Sequence, residues 1–352
     1  MNKKGFIGLG VMGFPMAGHL SSDGFDTCIF NRTPEKAEQW SDKFQGEICK
    51  TPAEIASMSD LIFLCVGRDK DVREVLVGED GVFSKVRPGT IIIDHTTTSA
   101  TLAREMHDIF IKKQCFYLDA PVSGGQAGAE AGQLSVMVGG DKDSYEATKE
   151  ALGAFSKFTK YMGSSGSGQL TKMVNQICIG GLVQALAEGI NFSEKAGLNT
   201  ADVMKVITKG AAQSWQMENR WETMIADEYD HGFAVDWMRK DLDIVSEEAA
   251  KIGADIEITN IVNKSSCLNV TSLQGIINAD GNIAKPVTGR NSTVWSVNLN
   301  SIKYTPANNS YFNWLIDDEI VYEQDSLNLN LYNDQDISLL YWDDLGCYSN
   351  FL

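Results

Sequence analysis

Gly8, Gly10 and Gly13 form a GxGxxG pattern where an apolar run gives way to an amphipathic one. The first glycine permits a tight turn, the second lets backbone approach a pyrophosphate, and the third allows close helix–sheet contact. The helix N-terminus then offers unpaired N–H groups to the phosphates. Alone the pattern is a glycine-rich turn. With a βαβ pattern on both sides it points to dinucleotide binding by Gly8, Leu9, Gly10, Val11, Met12 and Gly13. The next strand closes on Asn31, Arg32 and Thr33, where NAD-selective folds place an acidic side chain for the ribose hydroxyls. An arginine beside a hydroxyl attracts a ribose phosphate that a carboxylate would repel, so NADP is expected ahead of NAD, with NAD possible. On the plainer view Arg32 is a solvated side chain and Thr33 is an N-cap ahead of Pro34.

Two further loops follow strand ends, Val66-Gly67-Arg68 and Asp94-His95-Thr96-Thr97-Thr98. Ligands of open α/β sheets lie outside the carboxyl ends of the strands, so Val66, Gly67 and Thr96 are expected in the cofactor crevice. Thr98 or Ser99 is a compatible cap for the helix that follows. Ser123, Gly124 and Gly125 expose consecutive backbone N–H groups, either a nest for a small carboxylate or a plain turn. Lys172, Asn175 and Gln176 share one face at the start of an apolar helix. No histidine is placed for the task, so a lysine tuned by burial becomes the natural proton donor to a carbonyl under reduction. The competing view of Lys172 is an exposed helix-surface lysine.

These residues need a scaffold, and the patterning supplies one. Apolar runs at 5–9, 26–30, 61–66, 90–94, 115–119 and 134–139 alternate with helical patterns at about 12–22, 34–44, 52–58, 69–76, 99–113 and 143–154. Continuously apolar strands of this kind are covered on both faces, which predicts an α/β, Rossmann-type doubly wound sheet over residues 1–164. A flexible GSSGSGQ turn precedes a long apolar helix from Thr171 that ends at Gly197. Helices at 200–209 after a Thr200 cap, 214–226 and 237–252 complete an all-helical domain over 165–264. Residues 265–352 hold thirteen asparagines, ten acidic and only three basic side chains, with period-two alternations such as TVWSVNL. That segment reads as a β-rich appendage or a poorly ordered tail.

Length and composition agree with two domains and a small third one in 352 residues, at 43% hydrophobic and 22% charged. A net charge of −17 repels nucleic acid and anionic lipid, so neither is an expected partner. No apolar run approaches a bilayer span and no cleavable leader is expected, which predicts a cytoplasmic protein without a membrane partner. Seven dispersed cysteines suggest reduced thiols, and the four histidines show no metal-ligand spacing. No metal is expected.

Taken together, FIGLGVMGFPMAGHL, NRTPEKA, DAPVSGGQAGAEAGQLSVMVGGD, GQLTKMVNQ and the Lys240-Asp241-Leu242 triplet resemble the β-hydroxyacid dehydrogenase family, which includes 3-hydroxyisobutyrate dehydrogenase and tartronate semialdehyde reductase. The resemblance covers residues 1–263. It implies that Lys172 is the catalytic acid/base, that Asn175 orients the substrate, and that Ser123, Gly124 and Gly125 hold a carboxylate. It further implies that Lys240 reaches the crevice near the nicotinamide, and that Trp215 and Phe233 help wall the pocket unless both are core aromatics. The more widespread family pattern has asparagine four residues after the lysine; here Gln176 stands there, as in the tartronate semialdehyde reductase branch. The activity implied is NADP(H)-dependent interconversion of a small 3-hydroxy acid and its semialdehyde by a homodimer or homotetramer. A glyoxylate or succinic semialdehyde reductase, an imine reductase, or an inactive NADP-binding protein are the alternatives. Family members continue with further helices where this chain turns asparagine-rich, so the expected helical domain is truncated.

Overall fold

The computed structural model describes residues 3–229 and 235–268, and beyond them six strands between 287 and 351; side chains are described as far as 263. The strands β1 (Lys4–Ile7), β2 (Thr27–Phe30), β3 (Glu47–Ile48), β4 (Leu61–Leu64), β5 (Ile91–Asp94), β6 (Phe116–Asp119), β7 (Val122–Ser123), β8 (Leu134–Gly139) and β9 (Ser156–Gly163) form one sheet. Between them run α1 (Gly13–Ser22), α2 (Pro34–Ser41), α3 (Pro52–Met58), α4 (Asp69–Val77), α5 (Val82–Lys85), α6 (Ala100–Phe110), α7 (Gly125–Glu130) and α8 (Lys142–Gly153). The strand order is β3-β2-β1-β4-β5-β6-β8-β7, with β9 paired to β8. The chain starts in the middle, winds outward through β3 and returns to β4. The carboxyl ends of β2 and β4 therefore flank that of β1, the switch point at which such sheets bind ligands.

All four residues of β4 and of β5 are buried, as the unbroken apolar runs require. Alternate residues feed opposite faces: Phe6 and Phe63 join Trp40 in one core, while Ile7 and Ile62 join Phe110 in the other. The six expected strands all form. β3, β7 and β9 were not expected, for a common reason. Two of them are only two residues long, and β9 alternates exposed Lys157, Phe158 and Lys160 with less exposed neighbours, the charged character of an edge rather than a covered strand.

The helical part comprises α9 (Ser167–Lys195), α10 (Thr200–Ile207), α11 (Trp215–Ile225), α12 (Val235–Ile252) and α13 (Glu257–Leu268). α9 begins four residues before the expected Thr171, because Asp119 at the end of β6 acts as an external cap. Its carboxylate accepts Gly166 N at 2.8 Å and Gln169 N at 2.9 Å, groups that the helix itself cannot satisfy. The cap of α10 is Asn199, whose Oδ1 accepts Asp202 N at 3.2 Å; Thr200 donates instead to Ser193 Oγ at 3.1 Å. Among the described residues α9 is long and apolar enough to cross a membrane by length and composition, contrary to the expectation that no segment would be. Its buried Met173 instead packs with Ala100 and Val245, and its buried Gln169 bonds the loop after β5.

By compactness the chain divides differently from the expected 164/165 and 264/265 boundaries. One unit is Met1–Val183 with Ser214–Ile256, the other Gln184–Gln213 with Glu257–Leu352. The first half of α9 and all of α12 fall in the same unit as the sheet, where Met173 and Val245 pack with Ala100 of α6, so the division falls inside α9. In the second unit α13 extends past the expected end of the helical part. Beyond it β10 (Val287–Gly289) pairs β11 (Ser292–Val294), and β12 (Tyr311–Ile316), β13 (Glu319–Glu323), β14 (Ile337–Trp342) and β15 (Tyr348–Phe351) form an antiparallel sheet in the order β13-β12-β14-β15. The described residues of the asparagine-rich segment beyond α13 are strands, and most of the TVWSVNL alternation lies outside the described residues.

Replacing Asp119 with alanine strands two buried N–H groups at the start of α9. Urea denaturation should show a loss of about 2–4 kcal/mol. A loss below about 0.5 kcal/mol would mean that the carboxylate is not what starts the helix.

Candidate active site

The glycine loop tests whether a dinucleotide fits. A Cβ on Gly8, whose φ is +95°, would collide with the Cys65 carbonyl oxygen, and one on Gly13 with the Gly8 carbonyl oxygen. Packing alone forbids a side chain at either position. At Gly10 a Cβ would meet nothing within 4 Å, so that glycine faces open space, as backbone approached by a pyrophosphate should. Val11 is exposed beside it and Met12 stands at the N-cap of α1. Asn31 holds the loop in shape: its Oδ1 accepts Leu9 N at 2.8 Å and its Nδ2 donates to Thr33 O at 2.9 Å. Arg32 is 80% exposed, with Nη1 3.7 Å from Asp71 Oδ1. Thr33 occupies the cap position before Pro34, yet its hydroxyl makes no capping bond.

The two remaining loops are tied together. Val66 N donates to Thr96 Oγ1 at 3.0 Å, and Thr96 N to Asp94 Oδ1 at 2.8 Å. Gln169 clamps the far side, donating through Nε2 to Thr96 O at 2.8 Å and accepting Thr98 N at 3.0 Å. Of the two candidate caps for α6, Ser99 makes the bond, accepting Leu102 N at 3.0 Å. Burial pushes the carboxyls of Asp94 and Asp119 up to about 6 against the hydrogen bonds they accept.

Lys172 is buried, not a surface lysine. Among the described residues its ammonium makes no hydrogen bond. Burial lowers its pKa to about 8; Asp241 opposes that shift, and the second ammonium, Lys240, adds to it. Around it a continuous line of polar contacts runs across the unit. Ser123 Oγ donates to Asn175 Oδ1 at 3.2 Å, Asn175 Nδ2 to Gln176 Oε1 at 2.7 Å, and Gln176 Nε2 to Asp241 Oδ2 at 2.6 Å. Asp241 Oδ1 lies 3.0 Å from Lys240 Nζ, an ion pair without hydrogen-bond geometry. Lys240 Nζ donates to Thr97 O at 2.7 Å and Gly67 O at 3.4 Å, joining α12 to both cofactor loops. Lys240 also lines a cavity of about 360 Å³ with Arg68, Ser99, Ile244 and Lys251. At the other end Gly124 and Gly125 take φ of 142° and 62°, which only glycine adopts without strain, and turn the chain into α7.

Ser123, Lys172, Asn175, Gln176 and Lys240 therefore converge, together with Gly67 and Thr96. Trp215, 55% exposed at the first position of α11, makes no hydrogen bond to that cluster, and Phe233 lies outside the described residues. Asp119, Gln169 and Asp241 had no assigned role in the sequence reading. Nothing local announces them, since each acts on a partner at least 47 residues away. Trp237 is a further omission, with the cations of Arg68 and Lys240 5.8 and 5.6 Å from its ring centre. No group of three or more metal-ligating side chains occurs among the described residues.

Two family models match. Residues 3–163 fit the NAD binding domain of 6-phosphogluconate dehydrogenase, and 166–272 the NAD-binding domain of NADP-dependent 3-hydroxyisobutyrate dehydrogenase. An uncharacterized oxidoreductase of Shewanella frigidimarina is 51% identical over 264 residues, 75% of this chain and 91% of that one. A probable mitochondrial 3-hydroxyisobutyrate dehydrogenase-like protein of Arabidopsis thaliana is 38% identical, over 70% of this chain and 81% of its own. Among solved structures, Mycobacterium tuberculosis 3-hydroxyisobutyrate dehydrogenase with L-serine superposes with a TM-score of 0.70 at 27% identity, covering 77% of this chain and 94% of that one.

The glycine geometry separates packing from binding. Gly13→Ala should lower the melting temperature by about 4 °C or more through backbone collision. Gly10→Ala should leave it within about 1 °C while weakening dinucleotide affinity about tenfold or more, read by calorimetric titration. Unchanged affinity in Gly10→Ala would remove the loop from the binding site.

Proposed function

The chain belongs to the β-hydroxyacid dehydrogenase family, NAD(P)-dependent oxidoreductases acting on CH–OH groups, and from that premise we propose that it interconverts a small 3-hydroxy acid and its semialdehyde, with NADPH the preferred reductant. The observation that carries this reading is the buried Lys172 ammonium, without a hydrogen bond among the described residues and beside the line of contacts that begins at Ser123. Residues 1–164 hold the dinucleotide through Gly8 to Gly13, Asn31, Arg32, Thr33, Val66, Gly67 and Thr96, and residues 165–264 supply Lys172, Asn175 and Gln176, with Lys240 reaching the dinucleotide from α12. A nicotinamide dinucleotide bound there supplies or accepts the hydride at the carbinol carbon.

The chain's own residues do the rest. The backbone N–H groups of Gly124 and Gly125, at the start of α7, attract a carboxylate, and Ser123 offers it a hydroxyl by turning its proton from Asn175 Oδ1 to the substrate. Asn175 is held between Ser123 and Gln176, so its amide is fixed toward a substrate oxygen instead of free to rotate. Lys172 gives its proton to the carbonyl oxygen during reduction and takes it back from the hydroxyl during oxidation. A pKa near 8 suits both directions, because neither protonation state is far from the ambient pH. Positioning two reactants, with no covalent intermediate, supplies most of the acceleration. The L-serine in the mycobacterial structure is itself a small carboxylate with a 3-hydroxyl, which supports the substrate class.

The NADP preference rests on Arg32, exposed just after the end of β2 and loosely paired with Asp71. A homo-oligomer in a cytoplasmic setting fits the exposed Phe192, Val206 and Ile258 of the second unit and the free thiols of Cys28, Cys49, Cys65, Cys115 and Cys178.

Lys172→Ala should lower kcat by about 10²–10⁴ on two- to four-carbon aldehyde acids while NADPH affinity stays within about twofold. Unchanged kcat would remove the mechanism. In wild type, reduction needs the ammonium, so its kcat should fall as pH rises through about 8. Oxidation needs the neutral amine and should rise through the same pH. Profiles that are flat between pH 7 and 9 in both directions would exclude Lys172 as the titrating group.

A further inference from the structure

The dinucleotide edge carries one carboxylate that the proposed function leaves unused. Asp71, in the first turn of α4, accepts Arg68 N through Oδ2 at 3.1 Å, while its Oδ1 lies 3.7 Å from Arg32 Nη1. The two side chains come from opposite flanks of β1: Arg32 follows β2, Asp71 follows β4, and both strands pair with β1. Their ion pair therefore crosses the sheet edge at the glycine loop. A Cβ on Gly67 would press on Asp71 Oδ2, so the glycine is what lets the carboxylate sit against the loop backbone. Asp71 is 30% exposed and anchored, while Arg32 is 80% exposed and makes no hydrogen bond among the described residues.

That asymmetry decides what the pair does. An ion pair this open is worth at most about a fivefold effect, so Arg32 leaves it readily for a better anion. Asp71 stays, held by the Arg68 N–H. A carboxylate within 4 Å of the guanidinium is close to whatever phosphate the guanidinium binds, and repels it. The same carboxylate accepts hydrogen bonds from an unphosphorylated ribose. The end of β2 carries no acidic residue, and the carboxylate missing there stands across the crevice on α4.

We propose that Asp71 is a cofactor-specificity residue that opposes Arg32, disfavouring the 2′-phosphate of NADPH and keeping NADH usable. The assignment rests on Arg32 being the phosphate contact, and the test separates the two. NADPH and NADH are titrated by their own fluorescence onto the full-length wild type, Asp71→Asn and Arg32→Ala, with melting temperatures in parallel. Asparagine keeps an oxygen for the Arg68 N–H, so the start of α4 is preserved.

Asp71→Asn should tighten NADPH about three- to tenfold and leave NADH unchanged or weaker, with the melting temperature within about 2 °C. Arg32→Ala should weaken NADPH about tenfold or more and NADH less than about twofold. A ratio of the two dissociation constants in Asp71→Asn equal to that of wild type overturns the assignment, whether both affinities move or neither does. NADPH affinity unaltered in Arg32→Ala overturns the phosphate contact instead, and Asp71→Asn then still reports whether its carboxylate discriminates the two dinucleotides.

Discussion

Two ammonium groups share one carboxylate in a region almost closed to water, and the site depends on that imbalance. Lys240 pairs with Asp241 and hydrogen-bonds the carbonyls of Thr97 and Gly67, so its charge is compensated on several sides. Lys172 is left with the distant attraction of Asp241, the repulsion of Lys240 and the cost of burial. A drop from 10.5 to about 8 corresponds to something on the order of 3 kcal/mol favouring the neutral amine. Were Lys172 paired as well as Lys240 is, its proton would be held too tightly to move near neutral pH. The lysine proposed to transfer the proton is the one left without a hydrogen bond among the described residues.

Such an arrangement lasts only on a stiff support. Asp119 starts α9 from the end of β6, and Gln169, one turn into α9, grips the loop that follows β5. Lys172 is therefore placed relative to the cofactor loops by hydrogen bonds within one compact unit. Asp241, the residue that moderates Lys172, is placed by Gln176 on the same helix as the lysine. Geometry and electrostatics are thus set by one set of contacts, so disturbing the start of α9 should alter both.

Much of the sheet was legible beforehand, because β1, β2, β4, β5 and β6 are almost wholly buried and β8 buries one face, and their apolar runs need no partner to be recognised. The strands missed, β3, β7 and β9, owe their existence to neighbours that complete their hydrogen bonds, not to hydrophobic content. The start of α9 was misplaced for a similar reason: its cap comes from a residue 48 positions before the helix begins, Asp119. The division into compact units also departed from sequence order, since Val245 on α12 packs with Ala100 at the start of α6.

The order of residues along the chain determined what could be said of local chemistry. The glycines that shape the phosphate loop, the arginine after β2 and the lysine three residues from an asparagine act at short range, where spacing fixes geometry. Only the tertiary structure decided which of them would be dry, charged or tethered. Lys172 takes its lowered pKa from burial first and then from the repulsion of Lys240, against the pull of Asp241, both on another helix, and Arg32 meets its opposing charge on α4 across the sheet edge. Solvent exclusion and Coulomb interaction depend on distance in space, and chain order does not specify that distance until the sheet has closed around its core.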